Sequence, residues 1–151
     1  MTPAEVEQLK LYTEYRGIEI PLLDHLNFRY CPPTADGSPG HIALAVEHHH
    51  LNGWFSAHGG LIMTLLDVGM AMAASYHDAE HRGVVTIEMK SNFLRPGGNT
   101  GEVLEVFGSV SHSTRSIAFC EAELRNSQGE VVATASGTFK YLNKPRPVAD
   151  A

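Results

Sequence analysis

The chain has 151 residues, and its 11 Lys and Arg against 17 Asp and Glu give a formal net charge of −6 with neutral histidines. This length fits one domain with a single core, and a hydrophobic fraction of 43% excludes a largely disordered chain. The negative charge argues against a general nucleic-acid-binding protein, which needs a basic face to displace counterions from phosphate. A local positive pocket for a small anion stays compatible with it.

Cysteine and histidine usage bears on metal sites and on the compartment. The two cysteines, Cys31 and Cys120, form no CxxC pair, so neither a disulfide framework nor a Cys-based zinc site is predicted. Nine histidines suggest metal binding at first, but the run His48–His50 matches no metal-binding motif, and we predict no metal site. No signal peptide and no membrane-spanning run is apparent, so we expect a cytoplasmic protein without membrane partners.

The first part of the chain predicts three elements. A helix is expected over residues 2–16, because Thr2 and Pro3 form a helix start signal. Residues 31–40 contain three prolines and two glycines and are expected to form a loop. Residues 41–48 alternate between apolar and small or polar side chains, which predicts a strand that ends in the histidine run.

The longest apolar run, residues 59–76, predicts a buried helix because apolar residues occur nearly all round it. Asp67 is its only charged residue. After it, alternating patterns predict a meander of four strands over 84–94, 101–111, 116–125 and 130–142. The order helix, strand, buried helix and meander indicates an α+β domain whose antiparallel sheet wraps around one hydrophobic helix.

Several motifs follow one another in a fixed order along the chain. They are Asn52–Gly53, His58–Gly59–Gly60, Asp67, Val85–Met89, Phe93–Gly97 and Ser113–Phe119. In this order they resemble the PaaI-like hotdog-fold thioesterases, over roughly Leu23 to Tyr141. The resemblance implies the hotdog fold and hydrolysis of acyl-CoA thioesters, with coenzyme A as part of the substrate. It also implies no required cofactor, no metal, and a homodimer or homotetramer.

The same resemblance divides the chain into three parts. Residues 1–22 are expected to form an N-terminal helical extension, and residues 23–142 the hotdog thioesterase domain. Residues 143–151 contain two prolines and little to bury, so they are expected to form a flexible tail.

Asp67 is the first candidate catalytic residue. A carboxylate in an apolar helix loses hydration, which strengthens it as a base. It could deprotonate water, or it could attack the thioester carbonyl and form a mixed anhydride. A structural aspartate bonded to nearby polar groups is the alternative.

Four further residues match functional positions of the resembling family. Gly60 lies at the helix start, where an unpaired N–H carries partial positive charge and could polarise the thioester oxygen. His58 would position or polarise the thioester, or hold the loop. Asn52 would orient the water or the carbonyl, or serve only as a turn residue. Thr86 would hold the nucleophilic water, or be a β-branched packing residue.

Coenzyme A needs cations and backbone donors for its phosphates, and arginine suits phosphate recognition. Two segments resemble the family's coenzyme-binding segments, and ordinary solvated charge is the alternative for both. The family places such sites at subunit interfaces, so two chains are expected to contribute. The candidate residues are Phe93, Arg95, Pro96, Gly97, Ser113, Arg115 and Ser116.

Two other functions compete with thioester hydrolysis. A hotdog protein could bind acyl-CoA without turnover, in which case Asp67 would be dispensable. A hotdog dehydratase or hydratase would pair a catalytic histidine with an acidic residue in a different signature motif, which the sequence lacks. The sequence does not predict the acyl group.

Overall fold

The structure is a computed structural model, and it describes residues 1–145. Six strands form one antiparallel sheet in the order β1-β2-β4-β5-β6-β3, and the long helix α4 packs across it. The α+β hotdog architecture is therefore confirmed. The elements are α1 (Pro3–Glu7), α2 (Tyr12–Arg16), α3 (Pro21–His25), β1 (Arg29–Cys31), β2 (His41–Ala45), a 3-10 turn (His48–His50), α4 (Gly59–His77), β3 (Val84–Phe93), β4 (Val103–Ser113), β5 (Ile117–Arg125) and β6 (Val131–Tyr141).

Strands β4, β5 and β6 form the expected meander, but β3 does not belong to it. β3 pairs with β6 and lies at the far edge of the sheet. The segment after β3 forms no hairpin with β4, because it crosses the start of α4 first. There the backbone N–H of Ala57 donates a 2.9 Å hydrogen bond to the carbonyl oxygen of Gly98. The outer edge of β3 therefore has no strand partner among residues 1–145.

Helix α4 matches its predicted range and fills the space inside the curved sheet. Leu65, Leu66 and Met70 are completely buried there. At its middle the helix approaches β4 closely, since a Cβ at Gly108 would lie 2.2 Å from the carbonyl oxygen of Gly69. By length and hydropathy this is the one helix in the described part of the chain that could cross a membrane, but it packs against β2 to β6 as the core helix.

The prediction of one helix over residues 2–16 is wrong. The chain forms α1, capped by Thr2, and then breaks before α2. At the break it pairs with β1, because the N–H of Tyr30 donates to the carbonyl oxygen of Lys10 and Leu11 forms a bridge with Arg29. Backbone pairing with the sheet edge replaces the helical hydrogen bonds there. Gly17 is the C-cap of α2 and has the left-handed conformation that favours glycine.

The histidine run does not continue β2, which ends at Ala45. His48–His50 form one 3-10 turn, and His50 is buried. Its Nδ1 accepts from the N–H of Glu47 at 2.9 Å, and its Nε2 lies 3.1 Å from the carbonyl oxygen of Leu26. Burial lowers the pKa of His50, so the ring holds this turn as a neutral imidazole.

Structured residues lie at both predicted boundaries, that of the extension and that of the tail. Helix α3, Pro21–His25, spans the expected boundary at residue 22. At the other end, Asn143 accepts a 3.0 Å hydrogen bond from Nη1 of Arg82. The remainder of the expected tail, residues 146–151, lies outside the described residues.

Candidate active site

Asp67 and Thr86 form a hydrogen-bonded pair between α4 and β3. The Thr86 hydroxyl donates to Oδ1 of Asp67 at 2.6 Å, and Oδ2 has no partner among residues 1–145. A β-bulge interrupts the pairing of β3 with β6 between Thr86 and Glu88, and bulges of this kind often re-aim side chains beside active sites. The carboxylate can therefore accept a proton from a water held next to the Thr86 hydroxyl.

The expected desolvation of Asp67 is only partly provided by one chain. Its side chain is half-buried, and Thr86 is exposed. The reason is the position of β3: Asp67 lies on the side of α4 that faces the unpaired edge of the sheet. A partner covering that edge would remove water from the pair.

His58 is the N-cap of α4 rather than a free side chain beside it. Its Nδ1 accepts a 2.9 Å hydrogen bond from the backbone N–H of Gly60. Because Nδ1 accepts, the proton of the neutral ring lies on Nε2. The N–H predicted to polarise the thioester thus already donates to the imidazole of the same chain. Substrate would have to displace the ring to reach that donor.

Asn52 lies in a turn, which is the structural role given above as the alternative to a catalytic one. Its Oδ1 accepts from the backbone N–H groups of Trp54 at 2.9 Å and Ser56 at 3.2 Å. Two N–H donors fix the carbonyl end of the amide. The Nδ2 end has no partner in the described chain, so Asn52 can still donate a hydrogen bond to a ligand.

The catalytic candidates form two groups that one chain keeps apart. Gly60 and Asp67 are seven residues apart on the same helix, or about 10 Å at about 1.5 Å per residue. His58 and Asn52 lie with Gly60 at the helix start, whereas Thr86 lies with Asp67. A single thioester carbonyl cannot contact Gly60 and Asp67 of the same chain.

The first coenzyme segment lies beside the start of α4. A Cβ at Gly59 would lie 3.8 Å from the ring of Phe93, and a Cβ at Gly97 would lie 2.8 Å from Cβ of Ala57. Pro96 is exposed on the same turn. Arg95 is held by its own chain, since its Nη1 donates to the carbonyl oxygen of Val131 at 2.6 Å.

The second coenzyme segment lies at the opposite end of α4. Ser113 Oγ is 3.0 Å from Nε2 of His77, the last residue of the helix. The carbonyl oxygen of Arg115 accepts from Arg82, while the Arg115 side chain and Ser116 are exposed. The two segments are separated by the length of α4, so one chain cannot join them in one coenzyme site.

An apolar cleft of about 270 Å³ opens beside Asp67. One wall is the face of α4 from Thr64 to Ser75, and the other is the N-terminal extension. This role of the extension was not predicted from the sequence, because the short helices of the extension carry no ligand-binding motif. The extension contributes Tyr12, Arg16, Ile18, Ile20, Leu22 and Leu23 to the lining.

Within the described range, Cys31, His41 and Glu105 have ligand atoms within 4.8 Å of one another. His41 Nε2 lies 2.8 Å from Oε1 of Glu105, and its Nδ1 lies 3.2 Å from the carbonyl oxygen of Pro39. Burial opposes the charged ring, but hydrogen bonds with Cys31 and Glu105 raise the pKa of His41 to about 10. A protonated imidazole does not bind metal, so this geometry favours an ion pair. The absence of a metal site stays a prediction.

Large apolar side chains are exposed along β3 and before α4. β3 is ten residues long, and such an unpaired, apolar edge strand is typical of a subunit interface. The exposed side chains are Trp54, Phe55, Val85, Ile87, Phe93 and Leu94.

Comparison with known proteins agrees with this architecture. The thioesterase superfamily model matches residues 56–133. A Pseudomonas aeruginosa protein provisionally named an esterase is 34% identical over 119 residues, which cover 79% of this chain and 87% of that protein. The acyl-coenzyme A thioesterase PaaI of Escherichia coli is 29% identical over 96 residues, covering 64% of this chain and 66% of that protein.

A solved structure extends the similarity to the whole fold. A Bacillus halodurans protein crystallised with CoA superposes with a TM-score of 0.78 at 24% sequence identity, covering 89% of this chain and 87% of that one. The sheet order and the central helix of the present chain match that fold. The chain therefore belongs to the thioesterase superfamily, as a PaaI-like hotdog protein that hydrolyses thioesters.

Proposed function

We propose that the protein hydrolyses acyl-CoA thioesters to a free acid and coenzyme A, with Asp67 activating or forming the nucleophile. The hydrogen bond between Thr86 and Asp67, which lines an apolar cleft, carries this proposal. The cleft would take the acyl chain. Two similar proteins support coenzyme A as the thiol. One is named an acyl-coenzyme A thioesterase, and the other was crystallised with CoA.

The proposed water contacts both members of the pair, at the Thr86 hydroxyl oxygen and at Oδ2 of Asp67. Thr86 donates its proton to Oδ1 of Asp67, so its own lone pairs remain free to accept a hydrogen bond from the water. Oδ2 of Asp67 is then free to take the water's second proton as the oxygen attacks the thioester carbonyl. The C–S bond then breaks, and coenzyme A leaves as the thiolate and takes the proton from Asp67. The alternative is attack by Oδ2 itself, which expels the thiolate of coenzyme A and gives a mixed anhydride that water hydrolyses.

A dimer across β3 would complete the site. If two β3 edges pair antiparallel about a two-fold axis, the two α4 helices also run antiparallel. The partner subunit's Gly60 and Asn52 then approach the level of Asp67, which resolves the separation of about 10 Å within one chain. The exposed apolar side chains of β3 would be buried in the same interface.

The same dimer would join the two coenzyme segments. Phe93 and Gly97 lie by the start of α4, and Ser113 lies by its end. Antiparallel helices place the first segment of one subunit beside the second segment of the other. Arg95 of one chain and Arg115 of its partner would then supply the positive charge for the phosphates, despite the net charge of −6.

We propose that this dimer is the smallest active assembly. We also propose that the protein is cytoplasmic. A homotetramer would pair two dimers through the outer face of the sheet, where Phe119 is exposed and stacks beside His112. Such pairing would leave the sites at the β3 edge unchanged. No metal or other cofactor takes part in the proposed reaction.

The proposal is tested by following thiol release from a panel of acyl-CoA esters. Wild type is expected to turn over, and Asp67→Asn to lower kcat by about a hundredfold or more with the fold retained. Thr86→Val is expected to lower kcat. Thr86→Ser is expected to retain most of the wild-type kcat, because serine keeps the hydroxyl. Wild-type-like turnover by Asp67→Asn would exclude the mechanism.

The two alternative functions give different results in the same assay. Binding of acyl-CoA without any thiol release would identify a non-catalytic binding protein. Loss of enoyl absorbance from an enoyl-CoA without thiol release would identify a dehydratase or hydratase.

Label found in Asp67 after a single turnover in ¹⁸O-labelled water would identify Asp67 as the nucleophile. General-base attack by water places the label in the product acid. If Asp67 is the nucleophile and water attacks its own carboxyl carbon, the label remains in the enzyme.

A further inference from the structure

The cleft beside Asp67 runs along α4 and ends at a cation. Thr64, Asp67, Ala71 and Ser75 line it in sequence along one face of the helix. At the Ser75 end, Nη2 of Arg16 donates a 3.1 Å hydrogen bond to the Ser75 hydroxyl. The guanidinium of the N-terminal extension therefore closes the end of the cleft farthest from the Gly60 end of the helix.

Arg16 has no carboxylate within ion-pair distance in the part of the chain that the structure describes. Its guanidinium carbon lies 5.1 Å from the centre of the Tyr76 ring, and its side chain is half-buried. Asp24 and Asp78 have partners of their own, since Asp24 accepts from Thr13 and Asp78 pairs with Arg82. The guanidinium has five N–H donors, so an anion that enters the cleft can bind Arg16 in addition to Ser75.

The walls between Asp67 and Arg16 are apolar. Val68 and Ala71 contribute from α4, and Ile18, Ile20 and Leu22 contribute from the extension. A ligand that fits this cleft is thus apolar along its length and has one polar or charged end beside Arg16. In the proposed reaction the thioester carbonyl lies beside Asp67, at the other end of these apolar walls.

We infer that the preferred acyl group carries a carboxylate at its far end, so that the substrate is a medium-length dicarboxylic acyl thioester. Eight residues separate Asp67 from Ser75 on α4, or about 12 Å along the helix axis. An acyl chain of adipyl to suberyl length places its terminal carboxylate near Arg16 when its thioester is near Asp67. The planar guanidinium binds a carboxylate through two parallel hydrogen bonds.

This inference rests on the proposed hydrolysis and adds the substrate class. Its test compares kcat/KM for suberyl-CoA and octanoyl-CoA, which have the same chain length and differ in the terminal carboxylate. Wild type is expected to prefer suberyl-CoA. Arg16→Gln, which removes the charge, is expected to lower kcat/KM for suberyl-CoA about tenfold or more and to leave octanoyl-CoA within about threefold.

Two further variants control for indirect effects. Arg16→Lys keeps the charge and is expected to retain part of the preference for suberyl-CoA. Arg125→Gln removes a surface arginine at the end of β5 and is expected to change neither substrate. An equal loss for both substrates in Arg16→Gln would show a structural role of Arg16 and would overturn the inference, as would a suberyl-to-octanoyl ratio that the substitution leaves unchanged.

Binding separates the failure of this inference from the failure of the proposed function. If wild type hydrolyses no acyl-CoA, titration calorimetry with suberyl-CoA and octanoyl-CoA still measures the contribution of Arg16. Tighter binding of suberyl-CoA that is lost in Arg16→Gln supports the cleft assignment while hydrolysis is rejected. Equal binding of both esters by wild type rejects the assignment itself.

Discussion

The Nδ1 atom of His58 accepts a 2.9 Å hydrogen bond from the backbone N–H of Gly60, the group expected to polarise the thioester. His58 thereby stabilises the first turn of α4, and we predict that this capping is its main role. His58→Ala is expected to lower the free energy of unfolding by about 1 kcal/mol. His58→Ser is expected to keep the wild-type free energy of unfolding, because serine is a good N-cap. Urea denaturation measures both changes.

Turnover by the same two variants tests the assignment further. If His58 only caps the helix, kcat should remain within about tenfold of wild type in both variants, below the usual loss for a general acid or base. A large loss of kcat in His58→Ser, with stability retained, would instead make His58 a catalytic residue.

The close approach of Gly108 to Gly69 predicts a strong effect on stability. In Gly108→Ala the new methyl group would meet the backbone of α4, which cannot move away as a side chain would. The variant is expected to lose about 2 kcal/mol or more of unfolding free energy, measured by urea denaturation. Gly53→Ala is the matched control, since a Cβ there contacts nothing within 4 Å. Equal stability of the two variants would contradict the packing of α4 on β4.

The pair of His41 and Glu105 predicts how stability depends on pH. The pKa of His41 is raised to about 10 in the folded protein from an ordinary value of 6.5, so the folded state holds this proton more tightly. The resulting stabilisation is complete below pH 6.5 and is lost as the pH rises towards 10. Glu105→Gln should reduce this pH dependence but not abolish it, because the hydrogen bond with Cys31 also raises the pKa of His41. His112→Gln, at an exposed histidine, should leave the pH dependence unchanged.

Denaturation midpoints at several pH values between 6 and 10 check this prediction. The same pair acts in the opposite direction in acid. The hydrogen bond from His41 lowers the pKa of Glu105, so its contribution is present above pH 4.5 and falls as the carboxylate becomes protonated. A wild-type profile parallel to that of Glu105→Gln across the alkaline range would contradict the ion pair.

The unpaired edge of β3 predicts that assembly and activity are linked. Ile87 is 54% exposed in the single chain, and Ile87→Asp would place a charge in the proposed interface. The variant is expected to elute as a monomer and to lose thioesterase turnover, although Asp67 and Thr86 remain in place. Size-exclusion chromatography with light scattering measures the mass.

Gln8→Asp is the control, because it adds the same charge at the exposed end of α1, which packs on β2 on the side of the sheet opposite β3. It is expected to leave both mass and turnover unchanged. A fully active monomer of Ile87→Asp would show that one chain contains a complete site, and would reject the shared site.

Local patterns in the sequence were sufficient for the main elements. The all-round apolar character of residues 59–76 fixed α4, because a helix that cannot face water must be enclosed by other elements. Alternation fixed β3 to β6 within a few residues for the same reason, since one face of each strand packs on that helix. Asp67 was identifiable as a candidate because a lone carboxylate in such a helix is expected to lose hydration, which strengthens it as a base.

The interruption of the first helix and the placement of β3 depended on partners distant in sequence. Residues 2–16 have a helical pattern, but the backbone of Lys10 pairs with Tyr30, and this long-range hydrogen bond outweighs local propensity. β3 similarly pairs with β6, which lies more than 35 residues later in the chain.

The composition of the site was decided only by the tertiary structure. Gly60 and Asp67 are close in sequence, yet two turns of helix separate them in one chain, whereas Arg16 and Ser75 are far apart in sequence and in contact. Sequence spacing determines which residues share a helix face. Which faces meet across the cleft is decided by packing, because packing brings together elements that the local pattern treats as independent.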